Sequence, residues 1–153
     1  KGRFKQVNIR EVVKNIKSAG INVLGNYIFG LPEDNISTMT ETLNLAIELQ
    51  CEHSNFYSAQ ALPGSPLYLF AKDQKWDIPK KYEEFAFLSY ECKPLRTKHL
   101  TAKEVLNFRD NAWRKYFSNQ NYLNLVENKF GKKSKKNLTE LAKINLKRKI
   151  LEH

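Results

Sequence analysis

The order of hydrophobic patterns along residues 9–61 constrains the fold more than any other feature of the sequence. Apolar side chains recur at helical spacing over 9–18, form an unbroken β-rich run over 21–29, return to helical spacing over 37–50, and are followed by a strand pattern over 54–61. Short links rich in Gly and Pro separate these segments. The alternation predicts parallel α/β structure, because two parallel strands need a crossover connection between them.

From about residue 78 onward the pattern predicts helices only. The predicted helices cover residues 82–88, 105–116, 122–130 and 138–150. Thr101 followed by Glu104 is typical of a capping box and marks the start of the longest helix. A run of lysines at 132–136 is interpreted as a hinge between the last two helices.

Composition restricts the class of protein. The chain has 153 residues, 41% of them hydrophobic, so it can bury a core. No apolar run approaches the roughly 20 residues that span a bilayer, and the first residues lack the apolar stretch of a secretory signal. The only cysteines, Cys51 and Cys92, are too few for a disulfide scaffold or an all-cysteine metal site. We therefore expect a soluble, cytoplasmic protein.

The net positive charge of the chain lies entirely in its second half. The net charge is +10, yet residues 1–78 hold eight basic and eight acidic side chains, whereas residues 79–153 hold eighteen basic and eight acidic ones. Residues 129–149 contain nine basic side chains and one acid, Glu140. This density suits either a solvated helix face or a surface that binds nucleic acid or an anionic membrane. Aromatic side chains are sparse there, which disfavours nucleic acid as a partner.

The turns after the two strands are the candidate sites, because parallel α/β folds bind ligands at the carboxyl ends of their strands. Gly30 would allow a ligand to approach the backbone, and Glu33 and Asp34 place carboxylates ahead of a helix. The alternative is that Gly30 only turns the chain and the two carboxylates only favour the helix dipole.

Several motifs resemble the second half of the barrel in radical S-adenosylmethionine enzymes. They lie at residues 20–21, 28–33 (IFGLPE), 38–49 and 63–68 (PGSPLY). Further matches at 76–79, 92–95 and 108–110 extend the likeness to the helical region of the branch that carries a cobalamin-binding domain. That branch includes the magnesium-protoporphyrin IX monomethyl ester oxidative cyclases.

The resemblance implies an α/β fold that is the C-terminal part of a TIM-like barrel over residues 1–70, followed by a helical extension over 71–150. Residues 151–153 look like the remnant of a purification tag. The family cleaves S-adenosylmethionine with a 4Fe-4S cluster on a C-x-x-x-C-x-x-C loop, which this sequence lacks. The N-terminal half of the parent barrel would therefore supply the cluster, and this fragment alone would be inactive. The parent would act on a small molecule by oxidative cyclisation or methyl transfer, with cobalamin as a further cofactor in this branch.

The resemblance also assigns cofactor contacts residue by residue. The matching positions are Asn26, Ile28, Gly30 and Glu33 from the adenine-binding strand motif, with Ile28 against the ring, and Pro63 and Gly64 from the turn after the next strand. Strand alternation places Asn26 and Ile28 on one face and Tyr27 and Phe29 on the other. On the second strand alternation predicts that Ser58 and Gln60 share the face of Ile28, as ligand contacts or as hydrogen-bonded fillers.

The first strand also predicts self-association. Residues 21–29 are apolar on both faces and carry no charge. An open edge of such a strand pairs readily with another copy, so we expect a homo-oligomer of the fragment.

Overall fold

The structure is a computed structural model that describes residues 7–152. Its elements are α1 (Ile9–Ser18), β1 (Leu24–Phe29), α2 (Ile36–Leu49), β2 (His53–Ser58), α3 (Pro66–Asp73), α4 (Ala102–Phe117) and α5 (Gln120–Ala142), with short 3-10 helices at Tyr82–Phe85 and Lys149–Leu151. None of the described helices is both long and apolar enough to cross a membrane.

The strands β1 and β2 pair in parallel, as the sequence predicts. Leu24 lies opposite His53 and Phe29 lies opposite Ser58 in the register. Helix α2 makes the crossover between them, and its first turn is held by a capping box between Asn35 and Thr38. The predicted βαβ unit is therefore confirmed, although both strands are shorter than the runs 21–29 and 54–61.

One face of this sheet is covered by helices and carries the core. Tyr27 and Phe29 of β1 stack on Phe56 of β2, with ring centroids 5.2 and 5.9 Å away. Tyr116 of α4 packs on Phe56 at 5.1 Å, and its hydroxyl accepts a hydrogen bond from Ser54. Helices α2, α4 and α5 thus form a layer over one side of the strands.

The predicted fold class, the C-terminal part of a TIM-like barrel, is wrong. Among residues 7–152 the sheet has only two strands, β1 and β2, and five α-helices make up most of the remainder. The strand and helix patterns identify a βαβ unit, but a single unit does not determine how many strands a sheet contains. The α/β mixture is present, and the predicted division at residue 70 stays a prediction.

After β2 the structure departs from the predicted elements in four places. The segment at 82–88 is a single 3-10 turn, and helix α3 begins at Pro66, where the sequence suggests a stop. The lysine run 132–136 is helical, and the interruption of α5 lies at Gly131, whose φ of 84° and ψ of 168° are non-helical. After Ala142 the chain leaves the helix, so the predicted helix 138–150 ends early.

Candidate cofactor-binding face

The side of the sheet opposite the helical layer carries the predicted site residues of β1. Asn26 and Ile28 alternate with the buried Tyr27 and Phe29, and Ile28 keeps 47% of its surface exposed. The predicted alternation of β1 is confirmed. Asn55 and Tyr57 of β2 lie opposite Asn26 and Ile28 in the register, so they share this side. We call the group Asn26, Ile28, Asn55 and Tyr57 the open sheet face.

The amides of the open sheet face are bonded to each other. Asn55 Nδ2 donates to Asn26 Oδ1 at 3.1 Å. A carboxamide offers two N–H donors and a carbonyl acceptor, so this bond leaves the Asn26 N–H groups and the Asn55 carbonyl oxygen for another molecule. Tyr57 packs its ring on Phe87 at 5.0 Å, which fixes the orientation of the ring.

Ser58 and Gln60 do not join this face, and the alternation predicted for the second strand is wrong by one residue. Ser58 pairs with Phe29 in the register and is 2% exposed beneath the helices. Tyr57 takes the place beside Ile28 that the sequence assigns to Ser58. The cause is the burial of serines on the helical side, where Ser54 bonds to Tyr116.

Gln60 lies beyond the end of β2 and is buried by the segment that follows the 3-10 turn. Its Nε2 is 3.7 Å from Cys92 Sγ, and its Oε1 has no hydrogen-bond partner among the described residues. Leu95 N donates to Ala59 O at 2.8 Å, which holds this segment against the strand end. Burial raises the pKa of the Cys92 thiol, so the thiol stays neutral at physiological pH.

Gly30 is needed for packing, and its predicted role in ligand binding stays a prediction. Its φ is +84°, and a Cβ at this position would lie 2.4 Å from Val105 Cγ1 of α4. Asp34 closes the loop after β1, since its Oδ2 accepts hydrogen bonds from the Gly30 and Leu31 amides at 3.0 and 2.9 Å. The alternative interpretation of Gly30, a corner in the chain, is the one the geometry favours.

The remaining predicted site residues lie on surface loops. Glu33 is exposed and forms a salt bridge with Lys98. Pro63 and Gly64 are exposed in the turn before α3, where Ser65 caps the helix by accepting a hydrogen bond from Tyr68 N at 3.1 Å. The structure therefore brings Asn26 and Ile28 together but leaves the turn residues outside the open sheet face.

The donor atoms of this chain do not fit an iron-sulfur cluster. Cys51 and Cys92 are both buried free thiols, and Cys51 Sγ lies 3.6 Å from the Tyr27 hydroxyl oxygen. In the part of the chain that the structure describes, no three His, Cys, Asp or Glu side chains form a group able to hold a metal ion. A cluster would need ligands from elsewhere.

Two residues of the open sheet face, Asn55 and Tyr57, were missed by sequence reasoning. The signal that could have found them is the pairing of the strands, because Asn26 and Asn55 are polar residues two positions into adjacent strands. Together the four side chains offer an apolar contact, an aromatic ring, amide donors and an amide acceptor. Such a set suits a planar, nitrogen-rich ring with both donors and acceptors on its edge.

The basic segment is partly neutralised within the fold. Lys135 pairs with Glu127 at 2.6 Å, Lys143 with Glu140 at 2.9 Å, and Arg148 with Asp110 at 2.9 Å. No described feature of this segment adds to the charge argument for nucleic acid or membrane binding, which stays a prediction.

Comparison with known proteins gives a distant relation. No protein-family model matches the chain, and no solved structure matches it. An uncharacterized methyltransferase of Pyrococcus horikoshii is 22% identical over 117 residues, which are 76% of this chain and 25% of that protein. The chain spans about a quarter of the length of this curated relative. The similarity is methyltransferase-like, distant and partial.

Proposed function

We propose that this chain is part of a radical S-adenosylmethionine enzyme and that its open sheet face contacts the adenine of the cofactor. The observation that carries the proposal is Ile28, which is 47% exposed beside the Asn26–Asn55 amide pair on the uncovered side of the sheet. A flat apolar surface edged by amide groups complements a purine.

The physical argument begins with Ile28. An exposed isoleucine gains roughly 25 cal/mol for each Å² of apolar surface that a ring removes from water. The amide pair then supplies direction, because the Asn26 N–H groups can donate to a ring nitrogen of adenine and the Asn55 carbonyl oxygen can accept from its amino group. Asn55 orients Asn26 through the hydrogen bond between their side chains.

The comparison and the resemblance support the same class of cofactor. The methyltransferase relation is consistent with use of S-adenosylmethionine. The motifs at residues 28–33 and 63–68 resemble those of the radical S-adenosylmethionine family. The cluster would be held by the preceding part of the parent protein, since both thiols of this chain are buried.

Product analysis with the full-length parent protein tests this proposal. The protein is reconstituted with iron and sulfide without oxygen, then incubated with S-adenosylmethionine and dithionite, and the nucleoside products are separated by chromatography. We expect 5′-deoxyadenosine, which should be absent without dithionite. S-adenosylhomocysteine alone would assign the protein to the polar methyltransferases and overturn the radical class. The absence of both products would overturn S-adenosylmethionine as the cosubstrate.

A further inference from the structure

A cavity of about 450 Å³ lies at the outer edge of β2, beside the open sheet face. Its walls come from β2, the chain around Phe87, helix α4, the last turn of α5 at Leu141, and the chain that follows α5. Asn55 and Tyr57 line it from the strand. The cavity therefore shares Asn55 and Tyr57 with the open sheet face, but Asn26 and Ile28 do not line it.

Apolar side chains dominate the cavity walls and its rim. Trp113 and Phe87 present aromatic rings, and Leu88, Leu141 and Ile144 keep 66%, 48% and 55% of their surfaces exposed. Large apolar residues left exposed together around a concavity mark a surface that gains from being covered. The apolar part of a ligand would fill this volume.

The charged groups of the lining differ in whether their charge is already paired. Arg109 Nη1 donates to Asp110 Oδ1 at 2.8 Å, so these two lining charges are paired. The buried Arg148, which does not line the cavity, donates from Nε to Asp110 Oδ2 at 2.9 Å. Arg114 instead donates to two neutral amides, Asn111 and Asn145. A guanidinium has five N–H groups, so Arg114 keeps donors for a ligand. No carboxylate of residues 7–152 forms a salt bridge with it.

We propose that this cavity binds an apolar carboxylate, with its hydrocarbon part against Trp113 and Leu88 and its carboxylate on Arg114. Among the charged lining residues Arg109 and Asp110 neutralise each other, so Arg114 gives the lining a net positive charge, which favours an anion. Arginine binds carboxylates through charge-assisted, often paired hydrogen bonds. Asn111 and Asn145 hold the guanidinium in place for that contact.

The test is a fluorescence titration of the full chain with decanoate and with decyltrimethylammonium, which share a chain length but carry opposite charges. Replacing Trp76 by Phe makes Trp113 the only tryptophan, since the chain has two. We expect a saturable change in Trp113 emission with decanoate and at least tenfold weaker binding of decyltrimethylammonium. Equal affinity for the two amphiphiles, or no saturable change, would overturn the proposal.

Two variants of Arg114 test whether its positive charge binds the carboxylate. Arg114→Gln should weaken decanoate binding about tenfold. The loss of one hydrogen bond to a charged group changes the binding free energy by enough to alter the dissociation constant about tenfold. Arg114→Lys should retain most of the affinity. The matched control is Arg10→Gln. Arg10 lies on α1, does not line the cavity, and is paired with Glu48. Unchanged decanoate affinity in folded Arg114→Gln would contradict the assignment.

A third variant keeps the test decisive if Arg114→Gln fails to fold by circular dichroism. Leu88 is exposed at the rim, so Leu88→Asp leaves the core intact while it places a negative charge beside the ligand. Decanoate binding should weaken about tenfold in this variant, and unchanged binding would overturn the proposal. These titrations need neither S-adenosylmethionine nor a cluster, so their failure is distinct from failure of the proposed function.

Discussion

Glu52 joins three parts of the fold through one buried carboxylate. Its side chain is 1% exposed, yet Lys129 of α5 lies 2.7 Å from Oε1, Lys17 of α1 lies 4.0 Å away, and Val23 N donates to Oε2 at 2.9 Å. Burial alone would raise the pKa of Glu52, but the hydrogen bonds from Lys129 and Val23 together lower it. The ionised carboxylate is thus stabilised by its partners despite its burial.

Replacing Glu52 by Gln tests this cluster through the pH dependence of stability. The folded pKa lies below the unfolded value of about 4.3, so the stabilisation is full above that value and is lost as the pH falls through the folded pKa. We expect Glu52→Gln to lower the free energy of unfolding by about 2 kcal/mol at pH 7 and by less near pH 3. Urea unfolding at both pH values measures the difference.

The control for Glu52 is Glu48→Gln. Glu48 pairs with Arg10 at the surface, so its replacement should change stability less at pH 7. An equal loss for Glu52→Gln at pH 7 and pH 3 would show that the loss comes from packing and not from the carboxylate charge.

Gly30 can be tested against Gly64, because both have a φ of +84° and only Gly30 is crowded. Gly30→Ala should destabilise the fold by about 3 kcal/mol for two reasons. The new Cβ collides with Val105, and alanine disfavours the positive φ of this position. Gly64→Ala has nothing within 4 Å of its Cβ and should cost about 1 kcal/mol. Thermal and urea unfolding measure both.

A second measurement on Gly30 isolates the crowding. Combining Gly30→Ala with Val105→Ala should cost less than the sum of the single changes, because the contact that causes the strain is gone. Equal losses for Gly30→Ala and Gly64→Ala would show that Gly30 serves the backbone conformation alone.

At the scale of the elements, the loop between β1 and α2 is held by its own side chains. Asn35 Oδ1 accepts hydrogen bonds from the Ser37 and Thr38 amides at 2.8 and 3.2 Å. Asp34 accepts a hydrogen bond from Thr38 Oγ1 at 2.8 Å while its other oxygen holds the loop amides. The start of α2 and the end of β1 are therefore fixed together, which positions the open sheet face relative to the helix.

Asn35 is predicted to be the residue on which the start of α2 depends. Asn35→Ala should lower the free energy of unfolding by about 1 kcal/mol, because two amides of the first turn lose their acceptor. Ser37→Ala is the matched control and should change stability little, since Ser37 lies one position inside the helix. Urea unfolding of the two variants measures both changes. An equal loss of stability in Asn35→Ala and Ser37→Ala would contradict the capping role of Asn35.

The elements that the sequence predicted are those with strong periodicity or capping. Helix α4 was found because Thr101 and Glu104 form the predicted capping box. Helix α3 was missed because Pro66 suggests a stop, although a proline in the first turn after a Ser65 cap starts a helix. The break in α5 was misplaced because like charges at 132–136 do not end a helix, whereas the positive φ of Gly131 does.

The predicted alternation of side chains is correct on β1 and wrong on β2 for a physical reason. On β1 the buried positions are aromatic and the outward ones are not, so alternation assigns Asn26 and Ile28 correctly. On β2 small polar residues are buried, as Ser54 and Ser58 show, and polarity therefore misleads. The pairing register with β1 determines on which side of the sheet Tyr57 lies, and this register cannot be read from the local sequence of β2.

For the whole molecule, the dominant feature is a sheet covered on one side only. Helices pack on the face of Phe29 and Phe56, while the other face leaves Ile28 and Leu24 about half exposed. Such a surface gains stability when a further part of the parent protein, a ligand or another copy covers it. The proposed cofactor site depends on this one-sided layering, whereas the predicted self-association depends on the edge of β1.

Self-association of the isolated chain is expected through β1. Leu24 keeps 53% of its surface exposed on the strand, so an added charge there should oppose pairing. Light scattering over a concentration series should show a mass above that of the monomer. The Leu24→Lys variant should show a lower mass than the unchanged chain. Leu69→Lys is the control, because Leu69 is 63% exposed on α3. A monomer at every concentration would mean that β1 does not recruit a second copy.

The proposed contact of Ile28 with the cofactor is tested by the affinity of the full-length parent protein for S-adenosylmethionine. Equilibrium dialysis with radiolabelled S-adenosylmethionine compares the parent with Ile28→Asp and with Leu69→Asp, an exposed leucine on α3. A carboxylate against the adenine loses its water without gaining a partner, so Ile28→Asp should raise the dissociation constant at least tenfold. Leu69→Asp should leave it unchanged. An unchanged dissociation constant in folded Ile28→Asp would contradict the claim.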